Sequence, residues 1–319
     1  MRFVFFGSSE FAKIVLEKLL QSEMKPVLVV TNPPRPKGRK KIVSPTPVYN
    51  LAKQNDILVL APENLKDAKF IAEFKNLKPE FVILTAYGKI IPSELLMIPP
   101  KGFINLHPSL LPRWRGATPI QSAILAGDDK TGVTLFLMDE EIDHGPIIQN
   151  TEYRIQNTRI TYSELLKELA ELGANLIIKA VPRWLKGEIK TMPQNHSLAS
   201  YCHKITKEDE KIDWNKSSIE IDRKVRAFNP QPGVFTKAQH QKNEEIILKI
   251  IKGYPEKNDK SLEESQSSPG KVFDLEGKMA VKCGQGFYVI EQIKPAGKQT
   301  MPSEDFLRGN NWILNQILK

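Results

Sequence analysis

Residues 1–187 alternate short apolar runs with stretches of helical periodicity, and few folds accept that alternation. Arg2–Phe6 is an apolar run that ends at Gly7. Ser8-Ser9 then offers a helix cap ahead of Phe11, Val15, Leu16, Leu19 and Leu20, which recur at helical spacing. Further short strands are expected at Pro26–Val30, Ile57–Leu60, Phe81–Leu84 and Phe103–His107, with a helical pattern over residues 67–76. A helix is expected at Thr118–Ala126, then a strand at Val133–Met138 with Ile147–Tyr153 as its hairpin partner. Leu165, Leu166, Leu169, Leu172, Leu176 and Ile177 mark a long helix over residues 161–187. Strands and helices in this order predict a Rossmann-like α/β unit, a mostly parallel sheet with helices on both faces.

The pattern changes after residue 188. Residues 189–208 are mixed and polar, and read as a linker. Beyond them come short strand-like runs at Gly233–Ala238, Ile246–Ile251, Lys271–Leu275, Met279–Lys282 and Phe287–Ile293. The polar stretch Lys257–Ser268 between them reads as a mobile loop. A closing helix is expected from Ser303 to Leu318, capped by Ser303. Closely spaced short strands predict a small OB-like β-barrel over residues 209–319, a fold that commonly binds oligonucleotides. The expected domains are therefore 1–188 and 209–319.

Charge is unevenly placed. The formal net charge is +9, and residues 33–53 alone carry Arg35, Lys37, Arg39, Lys40, Lys41 and Lys53 with no acid. Residues 209–319, with 18 basic and 16 acidic side chains, are nearly balanced. Within the basic stretch, Pro33, Pro34, Pro36, Gly38, Pro45 and Pro47 predict a long, stiff loop over residues 33–47. Most basic runs are solvated surface, but a long structureless loop in a compact domain is often functional, and a basic one suits a phosphate backbone. No run approaches about 18 uninterrupted apolar residues, so no membrane-spanning helix is expected. No signal peptide is evident at Met1. Cys202 and Cys283 are far apart and form no paired motif, which speaks against a disulfide framework and for a reducing cytoplasm.

The chemically informative segment is Ile104–Pro119. On a strand, residues two apart share a face, so Asn105 and His107 project together while Leu106 faces away. They stand at a strand end, where open α/β sheets bind ligands. A second polar segment, Met138–Gly145, follows another strand and puts Asp139, Asp143 and His144 in a turn. If both segments end at one edge, Asp143 reaches His107. An amide that donates to an oxyanion, an imidazole that moves a proton and a carboxylate that orients it suit acyl transfer to an amine. Each residue also has an ordinary structural use, and spacing alone leaves that open. A metal site from His107, Asp143 and His144 lacks a supporting spacing, so none is expected. Ser109 has no nucleophile elbow around it. Gly7-Ser8-Ser9 lacks the remaining glycines of a dinucleotide fingerprint.

The chain resembles the methionyl-tRNA formyltransferase family of folate-dependent formyltransferases. The resemblance rests on Phe5-Phe6-Gly7-Ser8-Ser9-Glu10-Phe11-Ala12, on Asn105-x-His107 followed by Ser109-Leu110-Leu111-Pro112, and on Asp143. It continues through Lys204–Glu208, Ile212-Asp213-Trp214, Arg226–Pro230, Ile293–Lys298 and Asp305–Gly309. Within the basic loop, Arg39 matches the arginine of a Gly-Arg pair. Four residues depart from the family's usual choices: Glu141 for Gly, His144 for Thr, Pro146 for Asp and Gln231 for Trp.

The resemblance implies formyl transfer from 10-formyltetrahydrofolate to the methionyl amino group of initiator tRNA, with no metal. It implies catalytic roles for Asn105, His107 and Asp143. Folate contacts are then expected at Ser109, Leu110, Leu111, Pro112, Tyr87, Ile90 and Asp139. Contacts with tRNA are expected at Arg35, Lys37, Arg39, Lys40 and Lys41, and the protein is expected to be a cytoplasmic monomer. A sugar-nucleotide N-formyltransferase shares the chemistry but has less reason to carry the basic loop and the C-terminal motifs. A glycinamide ribonucleotide formyltransferase would be shorter, and a formyltetrahydrofolate hydrolase would lack the second domain. A catalytically silent RNA-binding protein would not need the intact Asn105, His107 and Asp143.

Overall fold

Four consecutive apolar residues without polar alternation suit a strand covered on both faces. β1 (Phe3–Phe6) is such a strand, with all four residues buried. The structure, a computed structural model, describes residues 1–37, 42–240, 244–256 and 267–319. The chain continues through α1 (Glu10–Leu20), β2 (Leu28–Val30), β3 (Arg35–Lys37), β4 (Ile42–Ser44), α2 (Pro47–Gln54), β5 (Val59–Leu60) and α3 (Ala68–Asn76). β6 (Phe81–Leu84), α4 (Ser93–Leu96), β7 (Phe103–His107), β8 (Arg115–Gly116) and α5 (Pro119–Ala126) follow, then β9 (Lys130–Leu137), β10 (Ile147–Arg154) and α6 (Tyr162–Leu185). Ser9 caps α1 by accepting from the Ala12 N–H at 3.3 Å, as its position ahead of the apolar repeat predicts.

The main sheet runs in the order β10-β9-β7-β6-β1-β2-β5. Its strands from β5 to β7 are parallel, while β9 is antiparallel to both β7 and β10. The strand order reverses between β1 and β6, which makes the crevice at their carboxyl ends the natural ligand position. Phe6, Phe74, Tyr87 and Phe103 pack in one buried cluster beside β1, with Phe6 edge-on to each of the other three rings.

The chain divides into two compact units. One comprises Met1–Pro119, Asp129–Gln156 and Glu164–His203, the other Ile120–Asp128, Asn157–Ser163 and Lys204–Lys319. The stretch read as a linker is structured. Met192 bridges to Ile147, residues His196–Leu198 form a 3-10 turn, and β11 (Tyr201–Cys202) pairs in parallel with β8. Two-residue strands carry no periodic pattern, so nothing in the sequence marks these elements.

The basic segment also differs from expectation. It is not a structureless loop, because β3 and β4 form an antiparallel pair with Arg35 opposite Ser44 and Lys37 opposite Ile42. Gly38, Arg39, Lys40 and Lys41 lie outside the described residues. Proline is admissible in this pair because a two-stranded ribbon leaves each strand with one unpaired edge.

The second unit is built on α7 (Ser218–Phe228) and the strands β12 (Val234–Gln239), β13 (Glu245–Glu256), β14 (Val272–Leu275), β15 (Lys278–Lys282), β16 (Phe287–Pro295) and β17 (Met301–Pro302). They form a curled antiparallel sheet in the order β12-β13-β16-β15-β14, with β17 added to β16. Register shifts between Ile250 and Gly253 bend β13. The outer strands are joined by the end of the chain. Lys237 and Lys319 exchange backbone bonds of 2.8 and 2.9 Å, while Val272 donates to Gln316 and Leu318 donates to Gly270. Thus residues 316–319 cover both open edges of the sheet. The stretch over residues 257–266, read as a mobile loop, falls outside the described residues.

The closing helix is shorter than expected. α8 (Ser303–Gly309) ends at Gly309-Asn310, and a 3-10 turn at Asn311–Ile313 follows. Ser303 does not cap it. Pro302 occupies that position without a side-chain bond, and the buried Ser303 hydroxyl donates to the Ile290 carbonyl instead.

Candidate active site

All five residues of β7 are buried, so polar ones among them need partners. Leu106 turns toward α6, where Gly173 leaves space for it. Asn105 and His107 occupy the opposite face, only 9% and 5% exposed. The loop after β9 brings Asp143 to them. Its Oδ1 lies 3.4 Å from Asn105 Nδ2, and its Oδ2 lies 3.5 Å from His107 Nδ1. The Gly116 N–H donates to Oδ2 at 2.8 Å. The three candidate catalytic residues are therefore adjacent within the first unit.

His107 has an acceptor at each ring nitrogen. A carbonyl oxygen can only accept, so Nε2 must be the donor in its 2.9 Å contact with Trp114 O. That leaves Nδ1, beside the Asp143 carboxylate, as the nitrogen able to gain or lose a proton. Asn105 has a second amide proton that Asp143 does not engage, and it can serve a developing negative charge.

Asp143 adopts a left-handed backbone, with φ of 49°. That conformation is unfavourable for a non-glycine residue, although Asp and Asn tolerate it best. Gly145 closes the same loop against β9, where a Cβ would lie 1.8 Å from the Leu137 carbonyl oxygen. Gly145→Ala should therefore force the loop outward and cost about 1–3 kcal/mol or more. Urea unfolding at constant m-value measures this, and an unchanged midpoint would show that the loop yields freely.

The expected folate-contacting residues fall into distinct environments. The Ser109 hydroxyl donates to the Arg113 carbonyl at 2.6 Å, inside its own turn. Thr134 on β9 latches that turn, donating to Ser109 O at 2.7 Å and accepting from the Leu111 N–H at 3.1 Å. Leu111 is buried beside Phe136 and Ile147, whereas Leu110 and Pro112 are partly exposed. Ile90 is 89% exposed. Asp139 spends its carboxylate on the loop, accepting from His144 Nδ1 at 2.7 Å and from the Glu141 N–H at 3.0 Å.

Tyr87 turns its side chain inward. Its ring is buried in the aromatic cluster, and burial raises its phenol pKa far above the ordinary range. Only its backbone faces outward polar groups: Tyr87 O accepts from Asn32 Nδ2 at 2.6 Å. Among the expected tRNA contacts, Arg35 pairs with Glu63 at 2.8 Å on the surface, and Lys37 lies on β3. Arg39, Lys40 and Lys41 lie outside the described residues.

Glu141 and His144 fit the loop despite departing from the usual residues. Glu141 points its side chain to solvent without a left-handed backbone. His144 stacks on His196, with ring centroids 4.1 Å apart and planes 9° from parallel. Two further residues at the site, Gln194 and Arg115, escape sequence reasoning. Gln194 sits in the polar stretch read as a linker, where no periodicity marks it, and no local pattern singles out Arg115. No group of three metal-ligating side chains occurs among the described residues. Nor, among those residues, is any helix long and apolar enough to cross a membrane.

At the carboxyl end of β7, amide, imidazole and carboxylate meet in an arrangement that suits acyl-group transfer. Residues 1–181 match the Formyl transferase family, and residues 204–311 match Formyl transferase, C-terminal domain. The methionyl-tRNA formyltransferase of Roseiflexus castenholzii is 37% identical over 97% of this chain and 96% of its own. That of Marinobacter nauticus is 38% identical over 98% of both. The chain belongs to the methionyl-tRNA formyltransferase family.

Solved structures share the fold at lower identity. HypX from Aquifex aeolicus in complex with tetrahydrofolic acid matches with a TM-score of 0.62 and 20% identity, over 96% of this chain and 47% of HypX. The Helicobacter canadensis N-formyltransferase, in complex with folinic acid and dTDP-3-aminofucose, matches with a TM-score of 0.64 and 21% identity, over 94% of this chain and all of that one.

Proposed function

We propose that this protein transfers the formyl group of 10-formyltetrahydrofolate to the amino group of methionine on initiator tRNA. The observation that carries this reading is the Asp143 carboxylate held between Asn105, His107 and the Gly116 N–H, in a chain alike along its whole length to methionyl-tRNA formyltransferases. The methionyl amine attacks the formyl carbon, and the carbonyl oxygen becomes an oxyanion. Asn105 donates to that oxygen. The amine must lose a proton and the departing folate nitrogen must gain one. His107 Nδ1, oriented by Asp143, carries that proton. The folate lies against the Ser109–Pro112 turn, with Leu110 and Ile90 as the accessible apolar side chains and with the backbone of Tyr87 and of the Asp139–Asp143 loop. The chain needs no metal for this chemistry, and it acts as a cytoplasmic monomer.

The deciding assay offers 10-formyltetrahydrofolate with methionyl-tRNA, free methionine and an amino sugar nucleotide as competing acceptors. Transfer to methionyl-tRNA is expected. Preference for the sugar would overturn the reading.

The basic segment supplies the contact with nucleic acid. Arg39→Ala should raise KM for methionyl-tRNA and reduce the salt slope of its binding by roughly 0.7–0.9, the value of one lost phosphate contact. KM for the folate should change much less. Lys78→Ala, which removes an exposed charge elsewhere, is the control. Equal effects of the two substitutions would reduce the segment to solvated surface.

A further inference from the structure

Asp143 sits in an unfavourable backbone conformation on a loop whose side chains Glu141 and Ile142 are exposed, so its placement needs support from outside the loop. The support comes from Gln194, which is 5% exposed. Gln194 Nε2 donates to Asp143 O at 2.9 Å and to Gly145 O at 2.8 Å. Both bonds require the amide to be turned one way, and Arg115 dictates that turn. A guanidinium has only donors, and Arg115 Nη2 and Nε reach Gln194 Oε1 at 2.7 and 3.3 Å. The amide oxygen must therefore face Arg115, and its two N–H groups must face the loop.

Arg115 is itself fixed. It is 2% exposed and has no carboxylate partner among the described residues. Two further donors go to His196 Nδ1 at 2.9 Å and Tyr201 Oη at 3.3 Å. Its backbone N–H bonds to Ser200 O at 2.8 Å, and the next residue supplies the Gly116 N–H that holds Asp143 Oδ2. One buried cation thus stands behind both restraints on Asp143. Its main chain is held through Gln194, and its carboxylate through Gly116. A charge-assisted bond to Oε1 also strengthens the bonds made by Nε2.

We infer that Gln194 is a positioning residue for the transfer reaction, holding the Asp143 carboxylate against His107 under the direction of Arg115. The inference rests on the catalytic reading of Asp143 given above. Gln194 touches no reacting atom. Its loss should lower kcat about 10- to 100-fold, the scale of a catalytic group displaced by about 1 Å, and leave both KM values near their original level.

The test is a double-mutant cycle of Gln194→Ala with Asp143→Asn, read as single-turnover formyl transfer and with thermal midpoints measured alongside. If Gln194 acts through Asp143, Gln194→Ala lowers the rate in the original protein but hardly changes it in the Asp143→Asn background. The same loss in both backgrounds would assign Gln194 a general structural role and overturn the inference. A neutral Asp143→Asn would remove the catalytic reading of Asp143 and the inference with it, and the single variant alone identifies that outcome. If Gln194→Ala does not fold, Gln194→Glu takes its place. It keeps an oxygen for Arg115 but puts an acceptor against two carbonyl oxygens, so the same pattern of losses is expected.

Discussion

Asn105→Ala should lower kcat for formyl transfer by about 10²–10³-fold while leaving the fold and both KM values nearly intact. The loss of a single oxyanion donor typically costs that much. The substitution is clean for three reasons. Asn105 lies on a strand between β6 and β9, so its backbone bonds do not depend on its side chain. Its amide makes only a long 3.4 Å contact with Asp143, so little native hydrogen bonding is lost. The Asp143 carboxylate keeps the Gly116 N–H and His107. Single-turnover rates with saturating methionyl-tRNA separate this from a binding defect. Turnover near the original rate would end the oxyanion assignment.

The largest effect on stability is expected in the second unit, from Asp222→Ala. Asp222 is 4% exposed on α7 and receives Arg226 Nε at 2.7 Å and Arg159 Nη2 at 3.2 Å. The same two arginines bond to Ile160 O and Gly253 O, so the carboxylate joins the helix, the strap of residues 157–163 and β13. Removing it leaves Arg226, whose side chain is 11% exposed, as a charge with no counterion from Asp222. Breaking a buried pair on one side costs roughly 3–5 kcal/mol. The lower end applies here, because the Arg159 side chain is 46% exposed and partly screened by water. Replacing the pair together, with Asp222→Leu and Arg226→Met, should recover much of the loss. Urea unfolding of the single and double variants tests both statements. A single-variant cost below about 1 kcal/mol would mark the network as effectively solvated.

Asn105 and His107 were legible because a strand repeats every two residues and no other rule is needed to put them on one face. The approach of Asp143 was not. It lies 36 residues beyond His107, and the residues alone offered it only on the condition that both segments end at one edge, because periodicity says nothing about where separate strands end in space. Gln194 and Arg115 left no mark at all. Gln194 works through bonds to main-chain carbonyls and Arg115 through bonds to side chains far along the chain, and such bonds have no local pattern. The strands of the two main sheets, apart from the short β17, were legible from apolar runs, to within a residue or two at most ends. The segment around Arg35 misled because proline argues against strands in general, yet it is harmless in a ribbon of two.

The pairing of residues 316–319 with both outer strands of the second unit sets the two units apart. The first unit draws its last residue at His203, so its sheet and the Asp143 loop need nothing from residues 316–319. The second unit depends on them. β12 needs Lys319, and β14 needs Gln316 and Leu318. Its two outer edges stay unpaired until residues 316–319 are in place. Losing the pairing of residues 316–319 would therefore open two strand edges of the second unit at once and leave the sheet of the first unit untouched.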